Sequence, residues 1–231
     1  MAKNRSKRYQ KAAELFDSEK VYPLEEAVGV VKKFPAPKFD QTVTLSFRMG
    51  VDPKQSDQMV RGSCPLPNGS GKDVRVLVFA EGEAATEAKN AGADLVGFES
   101  LVKEVQDGMM DFDAVIATPA AMSEVRKLGR QLGPRGLMPN PKTGTVTDDT
   151  AAAVKAVKAG KVDFKLDKNG NIAVPVGKAS FDESALVENG RAVIDSLSAA
   201  RPASAKGIFI LNAALSGTMS PGVKIDVSAW N

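Results

Sequence analysis

The sequence of 231 residues contains no histidine. This absence excludes Ser-His-Asp and Cys-His nucleophile pairs, imidazole general bases and most catalytic zinc sites. An enzyme of this composition would have to use carboxylates, lysines or a cofactor. No group of acidic residues has metal-ligand spacing, because Asp111 and Asp113 stand without further ligands and Asp167–Gly170 lacks the rest of a calcium loop. The sequence therefore excludes histidine-based enzymes and predicts no metal site and no cofactor.

Cysteine and long apolar runs are also scarce. Cys64 is the single cysteine, so an intrachain disulfide is impossible and a reducing cytosol is expected. The longest strongly apolar run, Val74–Ala80, is interrupted by Arg75 and is too short to cross a bilayer. Acidic residues follow the basic N-terminal segment where a signal peptide needs an apolar core, so we expect a cytoplasmic protein without membrane contact. The N-terminal cations are Lys3, Arg5, Lys7, Arg8 and Lys11.

The composition is that of a globular protein, with 43% hydrophobic and 26% charged residues. The charge is unevenly distributed. Residues 1–67 and 161–231 together contain 20 Lys and Arg against 15 Asp and Glu, a net charge of +5, whereas residues 68–160 contain 11 against 13, a net charge of −2. A basic body beside a mildly acidic one suggests a polyanionic partner without establishing one.

Residues 68–160 alternate between apolar strands and helices. The β-branched strands have the composition of buried parallel strands, and Gly and Pro mark the helix ends. This β-α-β-α-β-α order predicts a small, doubly wound parallel sheet. The predicted strands are Val74–Ala80, Leu95–Phe98 and Asp113–Ala117, and the predicted helices are Glu83–Ala91, one indicated by the helical spacing of Leu101, Val102 and Val105, and Ala121–Leu132.

The flanking segments follow a different pattern. Thr42–Gly50 alternates strictly between apolar and polar residues, which predicts a half-buried strand with a hydroxyl-rich outer face. Val162–Leu166 alternates in the same way, and Asp167–Gly170 predicts a hairpin turn into the next strand. We therefore expect a discontinuous α+β domain of the split β-α-β type, in which helices pack on an antiparallel sheet. An inserted α/β domain interrupts this domain in the sequence. The expected bounds are 1–67 with 161–231 for the first and 68–160 for the second.

Two rival classes stay open at this point. Gly69–Lys72 is similar to the end of a phosphate-binding loop, but Asp73 and a strand follow where Ser or Thr and a helix are needed, so a linker is favoured by roughly ten to one. An enzyme with a nucleotide in the α/β insert therefore has only its fold in its favour, which is weak evidence. A pure protein-interaction module is the other rival.

The stretch Leu132–Lys142 is unusual because three prolines and two glycines fix an irregular backbone. It belongs to a longer segment between Glu124 and Asp148 that contains five cations and no acid. From the residues alone, an anion-binding surface and an ordinary solvated helix face are about equally favoured. The five cations are Arg126, Lys127, Arg130, Arg135 and Lys142.

Two further stretches permit nucleic-acid contacts. Phe39 beside Lys38 could stack on a base while the lysine meets a phosphate, although a core position for Phe39 is favoured about two to one by residue type. The small residues of Ser216–Gly222 would let another backbone approach closely, and a simple hairpin turn explains them nearly as well.

Together, several of these stretches resemble the bacterial ribosomal protein L1 family. Leu132–Lys142, continued by Thr143–Thr147, closely resembles the proline-rich signature of that family, which is long and specific. The similarity runs from about Tyr9 to Asp226. Other matching stretches are Lys38–Val43, Ser56–Gly62, Val176–Lys178 and Thr218–Met219.

The resemblance implies a discontinuous RNA-binding domain with a Rossmann-like insert, in a protein that is monomeric when free. It implies binding to large-subunit rRNA in the mobile stalk near the tRNA exit site, help in releasing deacylated tRNA, and repression of translation through its own mRNA leader. The implied RNA-binding residues are Lys38, Phe39, Thr42, Thr44, Lys165, Lys168, Ser216, Gly217, Thr218 and Met219. The residues implied to face RNA or tRNA less closely are Arg126, Lys127, Arg130 and Arg135.

Two positions depart from the family pattern. Ser220 stands where the family usually has glycine after Thr-Met, and we expect a weaker RNA contact if that position needs a positive φ or the closest backbone approach. Asn68 stands where the family usually has histidine, and we expect this change to be nearly neutral.

Overall fold

A computed structural model describes residues 5–230 of the chain, so the N-terminal cation Lys3 lies outside the described residues. The described residues form two compact units. The outer unit comprises the described residues as far as Gly71 together with those from Val162 onward, and the middle unit is Lys72–Lys161. The chain therefore leaves the outer unit once and returns to it once.

The secondary structure of residues 5–230 consists of nine strands, eight α-helices and short 3-10 turns. The strands are β1 (Thr42–Met49), β2 (Arg61–Pro65), β3 (Val76–Phe79), β4 (Leu95–Gly97), β5 (Ala114–Ala117), β6 (Lys161–Lys165), β7 (Asn171–Lys178), β8 (Ile210–Gly217) and β9 (Val223–Ile225). The helices are α1 (Lys7–Ala13), α2 (Leu24–Lys32), α3 (Gly82–Asn90), α4 (Glu99–Gln106), α5 (Met122–Val125), α6 (Gly129–Arg135), α7 (Thr150–Lys158) and α8 (Glu183–Ala199). Over these residues, none of the helices has the length and hydropathy needed to span a bilayer.

The outer unit is built on a four-stranded antiparallel sheet with the strand order β7-β1-β8-β9. The predicted strand at Thr42–Gly50 is confirmed as β1, and its apolar side chains alternate with half-buried polar ones. Leu45 lies opposite Val174 of β7 and Leu215 of β8, so these buried side chains share one face of the sheet. Helices α2 and α8 pack against the sheet and contribute to the same core. The other face of β1 therefore carries its hydroxyl side chains.

The predicted hairpin after Val162 forms only in part. The turn at Asp167–Gly170 is present, with the Asp167 N–H donating to the Asn171 carbonyl at 2.9 Å. However, β6 pairs with β2 in a separate two-stranded sheet rather than with β7. Phe164 packs against Gly62 of β2, where a Cβ would lie 2.8 Å from the ring. Pairing of β6 with β2 therefore depends on a glycine far away in the sequence, which local alternation does not reveal.

The middle unit contains a three-stranded parallel sheet in the order β4-β3-β5. All four residues of the central strand β3 are buried, as expected for a parallel strand with helices on both faces. Leu77 and Phe79 belong to the core beneath α4, α5 and α6, whereas Val76 and Val78 belong to the core beneath α3 and α7. The continuous apolar run of this strand thus supplies two cores at once.

The predicted helix at Ala121–Leu132 is divided and extended. A 3-10 turn at Arg126–Leu128 separates α5 from α6, and the three-residue spacing of buried Val125 and Leu128 suits this tighter turn. Helix α6 continues through Pro134 and ends at Arg135. Gly136 follows it with a φ of 75°, the left-handed conformation typical of a glycine directly after a helix. Part of the proline-rich stretch is therefore helical rather than irregular.

A buried amide on α8 holds the segment that leads out of the outer unit. The Asn189 side chain is fully buried, and its Nδ2 donates to the Gly69 carbonyl at 3.0 Å and to the Val176 carbonyl at 2.7 Å. Its Oδ1 accepts the Asn68 N–H at 3.0 Å. A Cβ on Gly71 would lie 2.8 Å from the Lys178 and Phe181 side chains. Residues 68–71, which the sequence pattern assigns to the insert, consequently pack with the outer unit.

We predict that Asn189→Ala lowers the free energy of unfolding by about 2–4 kcal/mol, because two buried carbonyls and one N–H lose their partner. Urea denaturation of the full chain measures this change. The control is Asn212→Ala, which removes an exposed amide from β8 and should change the free energy of unfolding by less than about 0.5 kcal/mol. Equal effects of the two substitutions would contradict the role given to Asn189.

Candidate nucleic-acid interface

The start of β1 and the loop after β8 form one connected surface. Thr218 Oγ1 accepts the Thr42 N–H at 3.2 Å and donates to the Thr42 carbonyl at 3.3 Å. Lys178 Nζ also donates to Thr42 Oγ1 at 3.2 Å. We call this region the strand-end surface. It consists of Lys38, Phe39, Thr42, Thr44, Ser216, Gly217, Thr218 and Met219.

Hydroxyl groups line the middle of the strand-end surface. Thr44 lies opposite Ser216 of β8, so both hydroxyls are on the face of the sheet away from the core, and both residues are half-buried. A hydroxyl can both donate and accept a hydrogen bond. This row can therefore meet ribose hydroxyls and phosphate oxygens without reading base edges.

Two large apolar side chains stand exposed on the same surface. Phe39 is 51% exposed and Met219 is 54% exposed. The core position favoured for Phe39 by residue type is therefore wrong. An exposed aromatic ring and an exposed, flexible thioether are each a surface on which a base or ribose can pack.

Gln41 shapes the strand-end surface, although it is not among the RNA-binding residues expected from the sequence. Only 6% of this residue is exposed, and its Oε1 accepts the Met219 N–H at 2.9 Å and the Ser220 hydroxyl at 3.3 Å. A Cβ on Gly217 would lie 2.8 Å from Ser220 Oγ and 3.1 Å from Gln41 Oε1, so a side chain there would displace the groups that hold the loop. The signal was present in the sequence: Gln41 occupies the apolar register of the β1 alternation, where a polar side chain needs a buried partner.

Ser220 fits the loop without backbone strain. Every positive φ among residues 5–230 belongs to a glycine, so Ser220 lies outside the left-handed region. Its hydroxyl instead donates to Gln41, which also holds Met219. A positive φ at this position was one of the two conditions under which Ser220 is expected to weaken an RNA contact, and this condition is not met.

The structure does not bring Lys165 and Lys168 to the strand-end surface. They lie near the far end of β1, where the Met49 N–H donates to the Gly170 carbonyl at 2.8 Å. The eight residues of β1 span about 25 Å, so one ligand would have to be at least that long to touch both ends. Backbone N–H groups, first that of Asn171, hold the pKa of Asp167 below its usual range, so a carboxylate accompanies Lys168 at neutral pH.

The predicted cations of the middle unit lie on the 3-10 turn and on α6. Arg126, Lys127, Arg130 and Arg135 are all exposed. Lys127 forms an ion pair with Glu124 at 2.7 Å, and the other three have no ion-pair partner within residues 5–230. These three guanidinium groups are accordingly free to bind an anion.

The middle unit offers little to a nucleotide. Ligands of open α/β sheets bind at the carboxyl ends of the strands, and here that edge has a crevice of about 250 Å³ whose charged lining residues are Glu81 and Asp148. Two carboxylates without a cation repel phosphate. Lys72 pairs with Asp113 instead of closing a phosphate loop. Within residues 5–230, no group of three or more acidic or thiol ligands could hold a metal ion.

We predict that Gln41→Ala speeds amide hydrogen exchange at Met219 by about tenfold or more in the full chain, because that N–H loses its buried acceptor. Gln41→Glu keeps an acceptor oxygen and should preserve the slow exchange. Ser220→Ala is the control, since it removes only the second contact to Gln41. Unchanged exchange at Met219 in Gln41→Ala would contradict the positioning role of Gln41.

Comparison with known proteins identifies the family to which the chain belongs. The model of the family described as "Ribosomal protein L1p/L10e family" matches residues 31–221, which include β1, the middle unit and the loop after β8. The large ribosomal subunit protein uL1 of Bifidobacterium longum subsp. infantis is 54% identical over 222 residues, covering 96% of each chain. On these matches the chain belongs to the ribosomal protein L1p/L10e family.

Proposed function

We propose that this protein binds folded large-subunit rRNA of the ribosomal stalk through the strand-end surface. Family membership makes the chain a structural ribosomal protein and not an enzyme. The observations that carry the proposal are the exposed Phe39 and Met219 side chains, the hydroxyls of Thr44 and Ser216 on the outer face of the sheet, and the hydrogen bond by which Gln41 holds the Met219 loop. Hydroxyls beside accessible apolar side chains suit contact with ribose, phosphate and unstacked bases of RNA.

The recognition is of shape rather than of base sequence. The hydroxyls of Thr42, Thr44 and Ser216 meet ribose and phosphate groups, while Phe39 and Met219 pack on bases or sugars. Gly217 leaves room for the Gln41 and Ser220 side chains, so its role is to shape the loop that carries Met219. Since hydrogen bonds already hold the loop in the free protein, little conformational entropy is lost on binding.

The two units have separate roles in this proposal. The outer unit is a discontinuous rRNA-binding domain, and the middle unit is an inserted Rossmann-like domain whose Arg126, Arg130 and Arg135 contact stalk rRNA or exit-site tRNA and assist tRNA release. A leader of the protein's own mRNA that folds like the stalk would occupy the same strand-end surface, which would repress translation. The free protein is then a monomer in the cytoplasm, and the bound protein is part of the ribosome.

We predict that Phe39→Ala and Met219→Ala each weaken binding to a stalk fragment of bacterial large-subunit rRNA by about tenfold or more, as expected from lost packing on bases. Filter binding with the full chain measures the affinity, and thermal unfolding should show an unchanged midpoint because both side chains are exposed. The control is Ile208→Ala, which truncates an apolar side chain that is 60% exposed and lies outside the strand-end surface. Normal binding by both test variants would refute the proposed surface.

The modest charge of the outer segments predicts a gentle salt dependence. With a net charge of +5, we expect release of only a few counterions and a slope of log affinity against log salt of about −3 to −4. Titrations at several salt concentrations give this slope. A value as steep as about −10 would show that dense phosphate contacts, rather than shape, dominate binding.

A further inference from the structure

The first helix carries an unexplained concentration of positive charge. Residues 5–13 contain four cations and no acid, and the first acidic residue of the chain is Glu14. The four cations are Arg5, Lys7, Arg8 and Lys11.

Helix α1 borders the strand-end surface. The Arg8 guanidinium donates from Nη2 to the Met219 carbonyl at 3.2 Å, which joins residues 211 positions apart in the sequence. Ala12, one helical turn after Arg8, is 3% exposed and belongs to the core of the outer unit. The helix is therefore docked on the outer unit beside the loop that carries Met219.

The position of the cations is unfavourable for the helix itself. Lys7 and Arg8 lie in the first turn of α1, where the helix dipole favours acidic side chains, and α1 has no acid there. Ser6 caps the helix by accepting the Tyr9 N–H at 3.3 Å, but a helix of seven residues has little stability of its own. The first-turn cations thus weaken α1 in the free protein, whereas Lys11 in the last turn is favourably placed.

The cations also lack acidic partners. Within residues 5–230, none of the four forms an ion pair with an acidic side chain. Arg5 lies over the Tyr9 ring, 4.4 Å from its centroid. Lys7 and Lys11 are exposed and, at a spacing of four residues, lie on the same helix face. A polyanion would compensate both the charge and the dipole.

We infer that α1 is a second part of the RNA-binding surface, in which Lys7 and Lys11 bind phosphates of the same RNA that occupies the strand-end surface. Arg8 links the two parts because it contacts the backbone of the Met219 loop. Lysine supplies a compact, mobile charge suited to the phosphate backbone, so this part adds affinity and not sequence specificity. The inference rests on the proposed rRNA-binding function.

The test is the double variant Lys7→Gln/Lys11→Gln in the full chain, with the stalk fragment of large-subunit rRNA as the probe. Loss of two phosphate contacts should make the salt slope less steep by about one to two and should reduce affinity several-fold at low salt. The unfolding midpoint should stay nearly the same, since the losses of Lys7 from the first turn and of Lys11 from the last turn have opposite effects on the helix dipole interaction, and glutamine is a good helix former.

The matched control is Lys89→Gln/Lys155→Gln, which removes the same charge from exposed sites on α3 and α7 of the middle unit. It should leave the slope unchanged. If the unmodified protein fails to bind the fragment, the proposed function itself fails. If that protein binds and the Lys7/Lys11 variant keeps its slope and affinity, or if the control loses as much, only the inference about α1 is overturned.

Discussion

The pairing of β1 with β7 on one side and β8 on the other is the interaction on which the outer unit depends. It brings side chains from three distant parts of the sequence to one sheet, with the apolar ones on the face packed by α2 and α8. The same pairing places Thr44 beside Ser216 and Thr42 beside Thr218. A single central strand therefore builds the core with one face and the candidate interface with the other.

The elements with a strong period were predictable from sequence. β1 follows from strict alternation, and β3 follows from a β-branched run that is buried on both faces. Residue type alone misplaced Phe39, because aromatic residues are usually buried and only the fold shows that this ring is outside the core. The family resemblance supplied the candidate site residues, and the geometry groups most of them while leaving Lys165 and Lys168 at the far end of the sheet.

Features that depend on distant contacts were not predictable. The pairing of β6 with β2 needs the space beside Gly62 for the Phe164 ring. The first boundary of the middle unit lies at Lys72 rather than at residue 68, because Asn189, 120 residues after Gly69, binds the Gly69 carbonyl. Gln41 and Asn189 are alike in this respect, since each is a buried amide that satisfies backbone groups of another segment. The apolar register of Gln41 indicates that its amide needs a buried partner, but local sequence cannot identify which backbone groups the two amides bind.

The bond between Arg8 and Met219 also has a consequence for biosynthesis. Its two partners are 211 residues apart in the sequence. In the same way, β1 has no neighbouring strand in the four-stranded sheet until β7 and β8 have been synthesised. Because a chain emerges from its N-terminus, a nascent polypeptide lacks the assembled interface until almost all of it has left the exit tunnel. Fragments that end before β8 would accordingly lack the strand-end surface.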